Sequence, residues 1–278
     1  MTVLEVLQSA TAYFNKRGID NPRLNAEHLL AHVLGRTRME LYLEFEQTPG
    51  ETELATLRDL VRRRGQGEPL QHLLGTVEFC GEIFLCDKRA MIPRPETEQL
   101  VEFLKSEIRN PKSEVLDVGT GSGVIALSLA KQFPETQIIA VDISEDALAL
   151  ARENAIRLGV SGRVQLRKSN LLENLNESFH LIVANLPYIA AQDRHTLSRE
   201  VLGDPEAALF GGEQGDELVR ELITQAPARL RPGGTLALEI GLGQSEALLS
   251  ILAEKKYRDI CSKNDYSGKQ RFLFARYG

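Results

Sequence analysis

Glu114-Val115-Leu116-Asp117-Val118-Gly119-Thr120-Gly121-Ser122-Gly123 passes from an apolar strand into a glycine-rich turn, and Val124 to Gln132 continues with a helical pattern. Strand, glycine turn and helix in that order open an α/β unit with a parallel sheet. A second strand, Gln137-Ile138-Ile139-Ala140-Val141-Asp142, ends on an acid. Ser144 then caps a helix that runs to Leu158 and stops at Gly159, with Glu145 and Asp146 in its first turn. Val164 to Leu166 reads as a third strand, His180 to Ala184 as a fourth and Thr235 to Ile240 as a fifth, the last entered through a turn at Arg231-Pro232-Gly233-Gly234. A helix is expected near Asp216 to Leu230 and another from Gln244 to Ala253. Tyr257 to Ser262 and Arg271 to Arg276 are late strands whose short connection implies antiparallel pairing.

The residues ahead of this pattern are helical. Thr2 and Glu5 form a capping box before the stripe Val3, Leu7, Ala10, Phe14, and Thr37 with Glu40 forms another. Asn21-Pro22 reads as an N-cap with proline at the first helical position. Arg62-Arg63-Arg64 closes a fourth helix as a solvated, basic end, with binding of acidic groups as the lesser alternative. The chain thus divides into a helical bundle at 1–75, a β-hairpin and proline-rich linker at 76–95, and an α/β domain at 96–278. The linker Ile92-Pro93-Arg94-Pro95-Glu96-Thr97-Glu98 is stiffened by two prolines, and either joins domains or lines a cleft.

Composition narrows the function classes. The chain of 278 residues, 42% apolar and 26% charged, has the make-up of a water-soluble protein. No apolar run approaches the roughly 18 residues that a membrane helix needs, so no membrane role is expected. Three cysteines without zinc spacing point to a reducing cytoplasm. Among five histidines only His28 and His32 stand one helical turn apart, with no further ligands nearby, so no metal site is expected. A formal charge of −6 argues mildly against a nucleic-acid substrate.

Two stretches carry chemistry. Gly119-x-Gly121-x-Gly123 lets the backbone approach a ligand, and Asp142 at the next strand's end can take both hydroxyls of a ribose. Asn170-Leu171, after the third strand, would flank the adenine, and Asp117 would hold the loop. The dinucleotide fingerprint has wider glycine spacing. The present spacing, behind an acid, resembles S-adenosylmethionine-binding proteins, in which the loop accommodates methionine; Thr120 and Ser122 belong to that loop. At the fourth strand's end, Asn185-Leu186-Pro187-Tyr188 delivers an amide, a proline turn and an aromatic ring. Such a cluster can hold a planar nitrogen-bearing group.

Together these features resemble the class I S-adenosylmethionine-dependent methyltransferases, a Rossmann-like fold with a mostly parallel sheet and a final antiparallel strand. Ile92 to Glu98, Asp204-Pro205-Glu206-Ala207-Ala208-Leu209-Phe210-Gly211-Gly212, Leu230 to Gly234 through Leu238-Glu239-Ile240-Gly241, and Asp265-Tyr266-Ser267-Gly268 with Arg271-Phe272 resemble one family, the release-factor glutamine methyltransferases (PrmC/HemK). The resemblance covers nearly the whole chain. It implies transfer of a methyl group to the side-chain amide nitrogen of the Gly-Gly-Gln glutamine in class 1 peptide chain release factors, with S-adenosylhomocysteine as product and a role in translation termination. It also implies that Asn185, Pro187 and Tyr188 act in catalysis and that Asn185 to Tyr188 bind substrate. The helical domain is expected to recognise the substrate protein, because a three-residue motif offers too little surface for specificity. Ribosomal-protein glutamine and adenine-N6 nucleic-acid methyltransferases are the alternatives. One departure stands out: the family motif is Asn-Pro-Pro-Tyr, and Leu186 occupies the first proline position.

Overall fold

The computed structural model describes residues 1–108 and 110–278. They fall into two compact units, Met1–Thr76 with Ser198–Gly203, and Val77–Leu197 with Asp204–Gly278.

The first unit holds five helices: α1 (Val3–Arg17), α2 (Pro22–Leu34), α3 (Arg38–Leu43), α4 (Glu51–Gly65) and α5 (Leu70–Leu74). Both expected capping boxes form, with Glu5 accepting from the Thr2 N–H at 2.8 Å and Glu40 from the Thr37 N–H at 2.7 Å. Asn21 does not cap α2 through its side chain: it sits in the left-handed region, which asparagine tolerates, and Pro22 begins the helix. The apolar stripes of α1, α2 and α4 meet in one core around Phe14, Leu29, Leu30 and Leu57. Arg62 and Arg63 pair with Asp59 and Glu68 near the surface, but Arg64 is buried, against expectation. Its guanidinium donates to Asn25 and Glu200, each at 2.7 Å, which is how the hexapeptide Ser198–Gly203 joins this unit.

The second unit begins with a two-stranded sheet, β1 (Thr76–Phe79) and β2 (Glu82–Leu85), followed by α6 (Pro95–Leu104). Then come β3 (Glu114–Val118), α7 (Val124–Gln132), β4 (Gln137–Asp142), α8 (Glu145–Arg157), β5 (Val164–Lys168) and β6 (Phe179–Asn185). A small parallel pair, β7 (Ile189–Ala190) and β8 (Phe210–Gly212), precedes α9 (Glu217–Gln225), β9 (Leu230–Glu239), α10 (Ser245–Glu254), β10 (Tyr257–Asn264) and β11 (Gln270–Tyr277). The seven-stranded sheet has the order β10-β11-β9-β6-β3-β4-β5. Its β9-β6-β3-β4-β5 part is parallel, and β11 runs antiparallel to both of its neighbours. The expected turn at Arg231–Gly234 lies inside β9, where a register shift opposite Phe179 and Leu181 absorbs it.

Strand alternation sorts the side chains. Leu116, Val118, Ile182, Ala184, Leu236 and Leu238 pack with α9 and α10 on one face. Val115, Leu181, Val183 and Ala237 pack with α6 and α7 on the other. The same parity puts Asp117, Asp142, Asn185 and Glu239 on the α6 and α7 face. All four lie at or next to the carboxyl end of their strands. In an open parallel sheet this edge is the ligand-binding edge.

Candidate active site

The glycine turn is stapled to the end of β4. Gly119 and Thr120 both donate their N–H to the Val141 carbonyl at 2.9 Å, Gly121 donates to Asp142 Oδ2 at 2.8 Å, and Gly123 donates to the Thr120 carbonyl at 2.9 Å. These amides are spent inside the protein and are not free to cradle a pyrophosphate. Asp142 Oδ1 takes the Ser144 N–H at 2.9 Å. Burial raises the Asp142 carboxyl above its ordinary range while the Ser144 and Gly121 amides pull it back. Beneath the turn, Asp117 is fully buried, with Oδ2 accepting from Thr120 Oγ1 at 2.6 Å and from the Ala126 N–H at 3.2 Å. Its Oδ1 has no hydrogen-bond partner among the described residues, and burial pushes the acid up to about 7.

A cavity of about 300 Å³ opens above this floor. That is the lower end of the usual volume for a small-molecule site. Gly119 to Ser122, Asp142, Asn170, Leu171, Asn185, Leu186 and Pro187 all line it, so the structure brings both chemical stretches of the sequence to one place. Gly123 lies just behind them as the N-cap of α7. Tyr188 is not among the lining residues. It is half-buried, with Glu239, Arg271, Arg94 and Glu96 as its charged surroundings, and burial raises its phenol above the ordinary value.

The turn and the amide strand touch through Leu186. A Cβ on Gly119 would lie 2.8 Å from Leu186 Cδ2, and φ there is +71°, so only glycine suits the position. Leu186 is buried in the same core as Val118, Val141 and Leu171. Its side chain therefore packs where the family's proline would leave more space. Pro187 is supported from behind, because a Cβ on Gly211 would come within 2.3 Å of its carbonyl oxygen. The β7–β8 pairing maintains this close approach and explains the glycine at 211; Gly212, at φ +129°, instead abuts the Glu217 carboxylate.

Several lining or supporting residues were given no individual role by the sequence. Ile143, directly after Asp142, lines the cavity although more than half exposed, an apolar flank beside the Asp142 carboxylate. Asp204, whose side chain is inaccessible, accepts from the Ile92 N–H at 3.1 Å and from Arg94 at 2.5 Å. That ion pair joins the two rims of the cavity, Ala90 to Pro93 and Pro205 to Ala208. Thr97, in the first turn of α6, bridges Asn185 and Glu239. Strand parity was the available signal for Glu239, a lone acid two residues beyond Ala237 on a buried strand. Among the described residues no group of His, Cys, Asp and Glu is arranged to hold a metal ion.

The donor set fits a nucleoside ligand. Asp142 can accept from vicinal hydroxyls, Ile143 and Leu171 supply apolar flanks, and the spent turn amides disfavour a diphosphate. Residues 95–212 match the family model described as methyltransferase small domain, and residues 5–75 match the PrmC N-terminal domain. The fold is similar to that of ribosomal protein L11 methylase from Lactobacillus delbrueckii subsp. bulgaricus, at 25% identity and a TM-score of 0.52, over 69% of this chain and 84% of that one. It is also similar to a T. thermophilus 16S rRNA methyltransferase in complex with AdoMet and guanosine, at 21% identity and a TM-score of 0.53, over 73% and 50% of the two chains. Fold and cavity together define a class I, S-adenosylmethionine-dependent methyltransferase. The release factor glutamine methyltransferase of Geobacter sulfurreducens is 41% identical to this chain over 100% of its residues and 97% of its own length. The chain belongs to the release factor glutamine methyltransferase family.

Asp117 generates a pH dependence of stability. Its folded acid is held at about 7 by burial, whereas an unfolded aspartate titrates near pH 4. Between those values the native state binds the extra proton, so stability falls as pH rises across the window. Thermal unfolding without cofactor should show the wild-type midpoint declining from pH 5 to 7.5 more steeply than that of Asp117→Asn. Parallel profiles for the two proteins would contradict this.

Proposed function

We propose that this protein transfers the methyl group of S-adenosylmethionine to the side-chain amide nitrogen of the glutamine in the Gly-Gly-Gln motif of class 1 peptide chain release factors. The observation that carries the reading is the shared cavity of the glycine turn and Asn185 in a chain with this family's full-length similarity. When bound, S-adenosylmethionine supplies an electrophilic methyl carbon on a sulfonium and leaves as S-adenosylhomocysteine. Asp142 would hold the ribose, Asn170 and Leu171 the adenine, and the Gly119–Gly123 turn the methionine portion.

The acceptor is a carboxamide nitrogen, whose lone pair is delocalised. Asn185 Oδ1 is buried and without a partner among the described residues, and it accepts one N–H of the substrate amide. A main-chain carbonyl of the Leu186-Pro187 turn takes the other. Tyr188 lies beside this turn and closes the substrate side. Held in this way, the nitrogen is presented at a fixed angle, and orientation of this kind supplies up to about 7–11 kcal/mol in favourable systems. The helical unit grips the release factor away from the glutamine, because a three-residue motif offers too little surface for specificity. The three cysteines are free, as suits the reducing cytoplasm in which release factors act. Among the described residues, no helix is long and apolar enough to cross a membrane.

Labelled S-adenosylmethionine with purified release factor should give labelled protein, and changing the Gly-Gly-Gln glutamine should abolish it. Label appearing instead in nucleic acid, or persisting without that glutamine, would reject the reading. A variant panel sorts the roles. Asn185→Ala should lower kcat far more than cofactor affinity, Asp142→Ala should chiefly weaken the cofactor, and removing residues 1–75 should raise KM for the protein substrate. Unchanged kcat in Asn185→Ala would remove its assignment. Leu186→Pro should keep most of the methyl transfer and lose on the order of 1–2 kcal/mol of stability through under-packing. A folded Leu186→Pro protein with little activity would show that leucine is required.

A further inference from the structure

A carboxamide has two ends of opposite chemistry, and its partners decide which one faces a site. Asn185 Nδ2 donates to Thr97 Oγ1 at 3.1 Å, and the Thr97 hydroxyl donates to Glu239 Oε2 at 2.8 Å. Asn185 and Glu239 are register partners on β6 and β9, and Thr97 reaches both from the first turn of α6. All of Thr97 is buried, and so is Glu239. A threonine hydroxyl has a single proton. Given to the carboxylate, it leaves Oγ1 able only to accept. Asn185 must then turn its NH₂ towards Thr97, which leaves Oδ1 as the end without a partner among the described residues.

We propose that Glu239 and Thr97 are positioning residues that fix the direction of the Asn185 amide, so that the site offers an acceptor and not a donor to the substrate nitrogen. The inference rests on the role of Asn185 proposed above and extends it to two residues outside the motif. Without the hydroxyl, the Asn185 amide keeps only its contact with the Glu239 carboxylate and is held less firmly in that direction. Orientations turned by half point NH₂ at NH₂, and the nitrogen to be methylated is repelled.

The pair Thr97→Val and Thr97→Ser separates shape from chemistry. Valine keeps the volume and loses the hydroxyl; serine does the reverse. With release factor as substrate, Thr97→Val should lower kcat on the order of 10²-fold with cofactor binding within about twofold, and Thr97→Ser should stay within about threefold of wild type. Cofactor binding, measured by calorimetry, reports whether the pocket is folded. Glu239→Gln should also lower kcat, because a glutamine can donate to Thr97 and release the chain of directions. The double variant Thr97→Val/Glu239→Gln should be no worse than Thr97→Val alone, since both act through one amide. Wild-type kcat in Thr97→Val, equal damage from serine and valine, loss of cofactor binding in Thr97→Val, or losses that multiply in the double variant would each overturn the proposal. Failure of the wild-type chain to label the release factor would instead strike at the functional reading itself.

Discussion

The Gly121 N–H meets the Asp142 carboxylate at 2.8 Å, and the two amides before it close on the Val141 carbonyl. These bonds fix the turn between β3 and α7 to the tip of β4, and the rest of the site is measured from them. Leu186 rests on Gly119 only because the turn is held down. Asn185, one residue earlier, is placed at the cavity by that contact and by its own strand. The cost is paid in buried acid. Asp117, Asp142 and Glu239 all have carboxyls raised by burial; of the three only Asp142 lines the cavity, alongside Arg89, which is paired with Asp87 and Glu153.

Support for the acceptor side comes from a different part of the chain. The Asp204–Gly212 stretch does two mechanical jobs. Asp204 ties the linker at Ile92 and Arg94, and Gly211 lets the backbone lie against the Pro187 carbonyl. One rim of the cavity is thereby bonded to the other, and the turn after Asn185 cannot recede. Breaking the Arg94–Asp204 pair would leave a charge in a fully inaccessible position, a penalty of several kcal/mol. The proline-rich linker is therefore part of the site's frame as well as a connection.

Much of this frame was legible in the chain, because its rules are local. Alternation fixed the faces of the sheet, Thr2, Thr37 and Ser144 marked helix starts, and the glycine turn with Asp142 located the cavity. The failures came where distant partners decide. Arg64 looked like a solvated helix end, yet Asn25 and Glu200 bury it, the second from 136 positions away. Asn21 read as a cap, but its left-handed backbone points the side chain elsewhere. Thr97 and Glu239 stand 142 positions apart and acquire meaning only when α6 lies across β6 and β9. Tyr188, read as part of the substrate cluster, stands beside Glu239, the register partner of Asn185, and Arg271.

The unpartnered Asn185 oxygen also bears on selectivity. A buried acceptor without a donor costs roughly 1–3 kcal/mol, and that cost disappears when an N–H arrives. A glutamine amide brings two such hydrogens. A glutamate carboxylate brings none, and would set oxygen against oxygen at Asn185. Sites built to hydrogen-bond a substrate group reject analogues lacking it by far more than apolar pockets can. On this reading the Asn185 acceptor is what distinguishes amide from acid. On the role proposed for Asn185, a reaction on so weak a nucleophile would need no strong base there: the fixed acceptor would select the nitrogen and turn its lone pair towards the methyl carbon, and the proton would pass to solvent once the nitrogen has become cationic.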